Sequence, residues 1–271
     1  MQVVSIQSGK NKAARGGKRP RVLLLDLSGV LYDGSTVIPG AIDAVARVRA
    51  AGIPIRFITN TSQQTRYALL EQLRDMGFRL EQEQLFTAVD AARNWLRERK
   101  LRPFCLVHRN IAGEFAEFDQ RDPDAVFIAD AGEDFTYANL NRAFQLCLAG
   151  APLLGLGYNR FFKSGEQLLL DAGPFIRAVE FGASVEATIL GKPSAAFFQQ
   201  ALASSGASAE HGLMVGDDVY GDVEGALKAG LRACLVRTGK YQPGDENRVK
   251  GDFRVVNSIV EAVGAVLEQS E

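Results

Sequence analysis

Four short stretches put chemically capable side chains at the ends of apolar runs. Asp26 closes VLLL at 22–25, Thr59 and Asn60 close IPIRFI at 53–58, Lys192 follows ATIL at 187–190, and Asp217 and Asp218 follow GLMV at 212–215. A carboxylate at the end of a buried strand stays in the interior only with a partner. Taken singly, each stretch has a plain structural explanation. Asp26 forms a turn, Thr59-Asn60 caps a helix, Lys192 is a solvated loop lysine, and Gly216-Asp217-Asp218 is a turn with a cap. Taken jointly, an acid, a hydroxyl with an amide, a lysine and an acid pair at one rim are harder to account for as turns. In open parallel sheets, ligands bind in the crevice beyond the carboxyl ends of the strands.

The chemistry that calls for this set is phosphoryl transfer to a carboxylate nucleophile. A carboxylate approaching a phosphate dianion meets like-charge repulsion. Mg2+ held by Asp26 and Asp217 offsets it. Lys192 adds a second positive charge, and the Thr59 hydroxyl with nearby backbone N–H groups holds the remaining oxygens. Hard oxygen ligands, with no histidine or thiolate among them, suit magnesium and argue against zinc.

The elements that must position these groups read as a repeating strand–helix pattern. Strand 22–25 is followed by a helix at 39–51, strand 53–58 and a helix at 65–76 closed by Gly77. From 84 to 188 the same grammar restarts, with helices at 88–100, 111–118, 137–148 and 175–181 and strands at 104–107, 125–128, 153–156 and 187–190. The first pattern then resumes with a helix at 194–205, strand 212–215, a helix at 222–229, strand 233–236 and a terminal helix at 259–267. Alternation of this kind specifies a parallel sheet. The resumption makes 84–188 an inserted α/β unit between 21–83 and 189–271.

Composition narrows the function classes. A chain of 271 residues with 46% hydrophobic content can bury a large core, and a net charge of −1 gives no general attraction to nucleic acid or an anionic membrane. No apolar run is long enough to cross a bilayer. Residues 1–20 carry Lys10, Lys12, Arg15, Lys18 and Arg19 among small residues and read as a mobile basic tail, without the apolar block of a secretory signal. Cys105, Cys147 and Cys234 are odd in number and far apart, as expected of reduced cysteines in a cytoplasmic protein. His108 and His211 are too few for a histidine-rich metal site and read as structural. Trp95 and Leu96 read as helix packing.

DLSGVL, ITNTS, GKP and GDDVYGD, in that order, resemble the four motifs of the haloacid dehalogenase-like hydrolases, and the match extends over about 21–244. The resemblance implies an α/β fold, a Rossmann-like parallel-sheet core with an inserted α/β cap domain. LDLSGVLYDG, FFKSGEQLLLDAGPF and VRTGKYQPGDE are similar to a subgroup that acts on phospholysine, phosphohistidine and inorganic pyrophosphate. Carried over, Asp26 is the nucleophile that forms an aspartyl-phosphate and also a magnesium ligand, and Ser28 gives the metal its backbone carbonyl. Leu27, Ser28, Thr59 and Asn60 bind the phosphoryl group with Asp26 and Lys192. Asp217 ligates the metal; Asp218 and Asp222 support the metal site. Such capped enzymes are often homodimers through the cap. Their caps open and close, here with hinges near 82–84 and 187–191.

One position departs from the wider family. Most of its phosphatases carry an acid two residues after the nucleophile, where it protonates the leaving group; this chain has Ser28. General acid–base help is worth about 10²–10⁴ in rate, so alkyl phosphates lose most. Pyrophosphate, with a good leaving group, and phosphorylated lysine or histidine side chains, with a nitrogen that solvent can protonate, lose least. The alternative within the same chemistry is a general phosphomonoesterase for sugar phosphates, nucleotides or p-nitrophenyl phosphate, with Asp33 or a water doing the acid's work. A non-catalytic phosphoryl-binding protein is the reading of another class. It ranks last because Asp26, Lys192 and Asp217 are all present. In the insertion, Arg160 or Lys163 could meet an anionic leaving group, although the basic pair reads better as a solvated edge and Phe161 and Phe162 as cap core.

Overall fold

The computed structural model describes residues 19–164, 167–203 and 205–269, without the side chains of Lys163 and Ser164. Residues 1–18 of the expected tail therefore lie outside the described residues. So does the side chain of Lys163.

In chain order the first elements are β1 (Val22–Asp26), a small hairpin β2 (Tyr32–Asp33) and β3 (Thr36–Val37), α1 (Ala41–Ala50), β4 (Ile55–Thr59) and α2 (Arg66–Asp75). β5 (Leu85–Thr87), α3 (Ala88–Glu98), β6 (Pro103–Leu106), β7 (Ala125–Ile128), α4 (Tyr137–Leu148) and β8 (Leu153–Gly155) follow. Then come a hairpin of β9 (Phe161–Ser164) and β10 (Gln167–Leu170), α5 (Ala172–Ala183), β11 (Thr188–Ile189) and α6 (Ala195–Ala203). β12 (Gly212–Gly216), α7 (Gly225–Lys228), β13 (Arg232–Val236), β14 (Arg254–Val256) and α8 (Ile259–Leu267) complete the chain.

β1 is the axis of a six-stranded sheet in the order β14-β13-β12-β1-β4-β5, parallel throughout. Its residues are buried on both faces, which is why the sequence shows a continuous apolar run rather than an alternating one. Leu23 and Leu25 pack with Val45, Leu73 and Val263 from α1, α2 and α8. Val22 and Leu24 point the other way, toward Phe197, Phe198 and Ala226 of α6 and α7. From β1 the chain builds outward through β4 and β5. After the insertion it builds the other way through β12, β13 and β14. The order therefore reverses between β1 and β12, the point at which a crevice opens at the strands' carboxyl ends.

A second parallel sheet, β11-β8-β7-β6, is covered on one face by α4 and α5. Its other face joins the first unit: Phe127, Leu154 and Leu156 belong to the same apolar cluster as Ala88, Leu96 and Phe197. The expected Rossmann-like core with an inserted α/β unit is the observed architecture. The strand Leu85–Thr87, within the expected insertion 84–188, pairs with β4 in the first sheet, while Thr188–Ile189 pairs with β8 in the second.

Several local expectations are corrected. The helix expected at 111–118 is a 3₁₀ segment, Arg109–Phe115. The helix expected at 175–181 starts earlier, at Ala172, with Asp171 as its cap; Pro174 sits in the first turn, where its missing N–H costs nothing. The helix expected at 222–229 is a wide π-helical turn, Val219–Glu224, running into α7. Phe161, read as cap core, is 42% exposed on the β9–β10 hairpin, beside exposed Leu168, Leu169 and Leu170. β5, β14 and both hairpins are too short or too exposed to leave a periodic signal.

Candidate active site

β1 delivers Asp26 to the crevice with its side chain almost wholly buried. The Lys192 ammonium donates to Asp26 Oδ1 at 2.8 Å and to Asp222 Oδ1 at 2.7 Å, and it too is buried. Burial alone would pull Lys192 down. The charges of Asp222 and Asp26 outweigh it and hold the ammonium above its ordinary range. A buried cation shared between two carboxylates is sustained by that pairing alone.

Asp222 reaches Lys192 because of the π-helical turn. The N–H groups of Asp222 and Val223 both bond the Asp218 carbonyl, at 2.9 and 3.2 Å, and this swings Asp222 inward. Gly216 leaves the room it needs, since a Cβ there would lie 2.2 Å from Asp222 Oδ2. Asp218, adjacent in sequence to Asp217, faces differently. Its Oδ1 accepts from the N–H groups of Tyr220 and Gly221, and its own N–H donates to Asp222 Oδ2. It builds the turn, and its Oδ2 lies 3.6 Å from Lys240 Nζ.

Asp217, at the end of β12, is 1% exposed, with Oδ2 accepting from the Lys240 N–H at 2.7 Å. Its Oδ1 is buried with no hydrogen-bond partner among the described residues. Carboxylate oxygens of Asp26, Asp217 and Asp222 lie within 4.8 Å of one another. Burial first, then the charges of Asp26 and Asp222, raises Asp217 well above the carboxylate range. Burial, then Asp26 and Asp218, pushes Asp222 up to about 7 against the opposing pull of Lys192. A buried oxygen without a donor, among crowded carboxylates, is an arrangement that a divalent cation would complete, and the donors are all hard oxygens. Gly29 and Gly239, both at positive φ, close on the same carboxylate: a Cβ on either would lie about 2 Å from Asp217 Oδ2. The residues fit such an ion.

Thr59 and Asn60 arrive on the other flank, at the end of β4. The Thr59 hydroxyl donates to Thr61 Oγ1 at 2.9 Å and accepts from the Thr61 N–H at 3.0 Å. Sequence reading puts Asn60 on the phosphoryl group. In the structure its side-chain Nδ2 donates to the Lys192 carbonyl at 2.9 Å, and its Oδ1 accepts from the Lys192 N–H at 2.8 Å. Gly157 and Gly191 admit that amide, because a Cβ on either would lie 2.6 Å from it. The Leu27 side chain is in the core, while its carbonyl accepts from the Leu31 N–H. Ser28 is exposed at the rim, bridged to Tyr32, and Asp33 is exposed on the β2–β3 hairpin. Arg160 is exposed on the second unit. Trp95 packs at the edge of the core under the Arg99 guanidinium, 4.1 Å from the ring centroid. His108 caps the 3₁₀ segment, and His211 bonds Ser208.

A fifth loop, missed by strand-end reading of the sequence, completes the rim. After β13 the Thr238 hydroxyl bonds the Gly29 carbonyl, Gly239 packs on Gly29, and Lys240 follows. The signal was present: Gly-Lys just beyond a buried strand matches the placing of Lys192. Across the cleft, Gln63 donates to Asp130 Oδ2 at 2.5 Å, and the Asp171 carboxyl is raised by burial, partly offset by its bond from the Ala172 N–H. Among the described residues, no helix is long and apolar enough to cross a membrane.

Residues 23–121 match the family model described as haloacid dehalogenase-like hydrolase, and 189–262 match a second one, described as HAD-hydrolase-like. The chain is 42% identical over 259 residues to phospholysine phosphohistidine inorganic pyrophosphate phosphatase of Homo sapiens, covering 93% of this chain and 96% of that one. It is 39% identical over 249 residues to haloacid dehalogenase-like hydrolase domain-containing protein 2 of Bos taurus, covering 92% and 96%. Among solved structures it is similar to the 4-nitrophenylphosphatase of Thermotoga maritima, with a TM-score of 0.83 and 25% identity over 91% of this chain and 97% of that one.

Proposed function

The chain belongs to the haloacid dehalogenase-like hydrolases and is a phosphatase of that family, and from this premise we propose that it is magnesium-dependent, forms an aspartyl-phosphate on Asp26, and favours P–N and P–O–P substrates. The observation that carries the reading is the Lys192 ammonium shared by Asp26 and Asp222 beside the unpartnered Asp217 oxygen. Asp26, Asp217 and the Ser28 carbonyl would hold Mg2+, which when bound offsets the repulsion between the nucleophile and a phosphoryl dianion. Asp26 is fixed by Lys192, which also balances charge on the transferring group. Asp222 holds that lysine from behind, and Asp218 shapes the turn that presents Asp222. The Thr59 and Asn60 segment, with the backbone of Leu27 and Ser28, receives the phosphoryl oxygens.

No acid stands at Ser28, so the leaving group must depart without a proton from that position. This supports phospholysine, phosphohistidine and inorganic pyrophosphate, the substrates in the name of the human relative, as the substrate class here, whether free or on a protein side chain. Beyond the core-sheet strand Leu85–Thr87, the inserted segment 84–188 serves as the cap over a core of 21–83 and 189–271. A homodimer through the cap is supported by the exposed Leu168, Leu169 and Leu170 on the β9–β10 hairpin; a monomer by sedimentation would refute it. A cytoplasmic site of action accords with the free cysteines, and cell fractionation tests it. For the reaction, the test is Mg2+-dependent phosphate release from pyrophosphate and a phosphoramidate by the natural chain and Asp26→Asn. Abolition in the variant is expected, and undiminished release would overturn the reading.

A further inference from the structure

Lys240 is held at the rim by its main chain, and among the described residues its ammonium makes no hydrogen bond within normal range. Its N–H bonds Asp217 Oδ2 at 2.7 Å, and the preceding Thr238 and Gly239 are fastened to Gly29. Among the described residues the Nζ has one ion pair, to Asp218 Oδ2 at 3.6 Å, longer than a hydrogen bond, with the side chain 35% exposed. Lys192, by contrast, is buried and engaged with two carboxylates. Lys240 thus sits at the rim of the crevice that holds the Asp26, Asp217 and Asp222 carboxylates, with its Nζ beside Asp218.

We propose that Lys240 is a specificity-determining residue whose ammonium receives the anionic leaving group, the second phosphate of a diphosphate substrate. The proposal rests on the phosphatase reading above and deepens it. An Asp26 oxygen forms a bond to phosphorus as the bridging P–O bond breaks, and the electron pair of that bond departs with the leaving phosphate. A hydrogen pyrophosphate trianion thus gives aspartyl-phosphate and hydrogen phosphate dianion, with the proton already on the leaving half. What the step lacks is a cation for the departing charge, and Lys240 supplies it where Ser28 supplies no acid. A P–N substrate whose leaving nitrogen is protonated departs as a neutral amine and makes no such demand.

The test compares the natural chain, Lys240→Met and Lys240→Arg. Because the bond to Asp217 comes from the main chain, Lys240→Met removes the charge and spares the loop, and an unchanged melting temperature verifies this. Steady-state phosphate release is measured with Mg2+ from pyrophosphate and from phosphoramidate. Calorimetric binding of methylenediphosphonate and of inorganic phosphate is measured alongside. Lys240→Met is expected to lower kcat/KM for pyrophosphate roughly 10- to 100-fold, the size of one lost charge-assisted hydrogen bond. Phosphoramidate should change by less than about threefold, Lys240→Arg should restore pyrophosphate, and the preference for diphosphonate over phosphate should vanish in Lys240→Met. Equal losses on both substrates, or no loss on pyrophosphate, would overturn the assignment. If the natural chain released phosphate from neither substrate yet bound diphosphonate through Lys240, the proposed substrate class would fall, and with it the leaving-group role, leaving Lys240 only as a contact for a second phosphate. If the natural chain bound diphosphonate no better than phosphate, the assignment itself would fall.

Discussion

Replacing Asn60 by alanine separates two roles that the sequence leaves superimposed. If the side chain binds the phosphoryl group, its loss weakens substrate binding and leaves the free protein unharmed. The geometry predicts otherwise: the amide spans the Lys192 N–H and carbonyl at 2.8 and 2.9 Å and so fixes the main chain from which the catalytic ammonium hangs. Each such bond contributes about 1 kcal/mol net. The site is only partly buried and water can recover some of the loss, so Asn60→Ala should destabilise by about 2 kcal/mol, a melting shift of roughly 4–8 °C for a chain of this size. A released Lys192 backbone also loosens the Asp26–Lys192–Asp222 array, so kcat should fall roughly 10- to 100-fold with KM changed much less. Thermal unfolding of the metal-free protein and steady-state kinetics on pyrophosphate read the two effects separately. Unaltered stability together with a loss confined to KM would refute the positioning argument and return Asn60 to the substrate.

Ser28→Asp should extend activity to alkyl phosphates, by up to about 10²–10⁴ if the new carboxyl reaches the leaving oxygen; a comparison of a sugar phosphate with pyrophosphate decides it, and no gain would mean that Ser28 does not set the preference. Gly239→Ala places a Cβ 2.1 Å from Asp217 Oδ2 at a φ of +62°, so it should displace that carboxylate and abolish the rise in melting temperature produced by Mg2+ in the natural chain, whereas an unchanged rise would place the metal elsewhere. Burial and neighbouring acids raise Asp217 and push Asp222 up to about 7, so between the ordinary carboxylate value of about 4 and that range the folded metal-free protein binds more protons than the unfolded chain. The stability that these two protonated groups contribute is then fully present below about pH 4 and is lost as the pH rises, for Asp222 through about 7, and stabilisation by Mg2+ should grow over the same interval. Urea unfolding at several pH values with and without Mg2+ measures both, and a metal effect independent of pH would contradict the assignment.

The site is assembled by the sheet's change of direction. β1 ends between strands that arrive from opposite halves of the chain, so Asp26 and Asp217, far apart in sequence, meet at the same crevice. Lys192 comes from the loop that returns the chain from the second sheet to the first, and Asn60 pins its main chain. The residue that orients the lysine and the lysine itself therefore lie on opposite sides of the inserted unit.

By itself the sequence determined the strand–helix alternation, the insertion and the positions of Asp26, Lys192 and Asp217. Those signals are local: a buried parallel strand must be apolar along its length, and the polar group that ends it must sit at the rim. What only the tertiary structure decided is which partner each group has. Asp217 and Asp218 are adjacent in sequence, yet one is buried among the carboxylates while the other folds back to cap a turn. Asp222, five residues beyond Asp217, reaches Lys192 because the turn widens to a π-helical one, and no helical periodicity announces that. Asn60 carries a side chain suited to a phosphoryl oxygen, and the bonds it makes depend on a backbone 132 residues away. Lys240 joins the site through its main-chain N–H, and a main-chain donor has no letter in the sequence. Periodicity reports which face of an element is buried; it carries no information on distances between residues brought together by the fold.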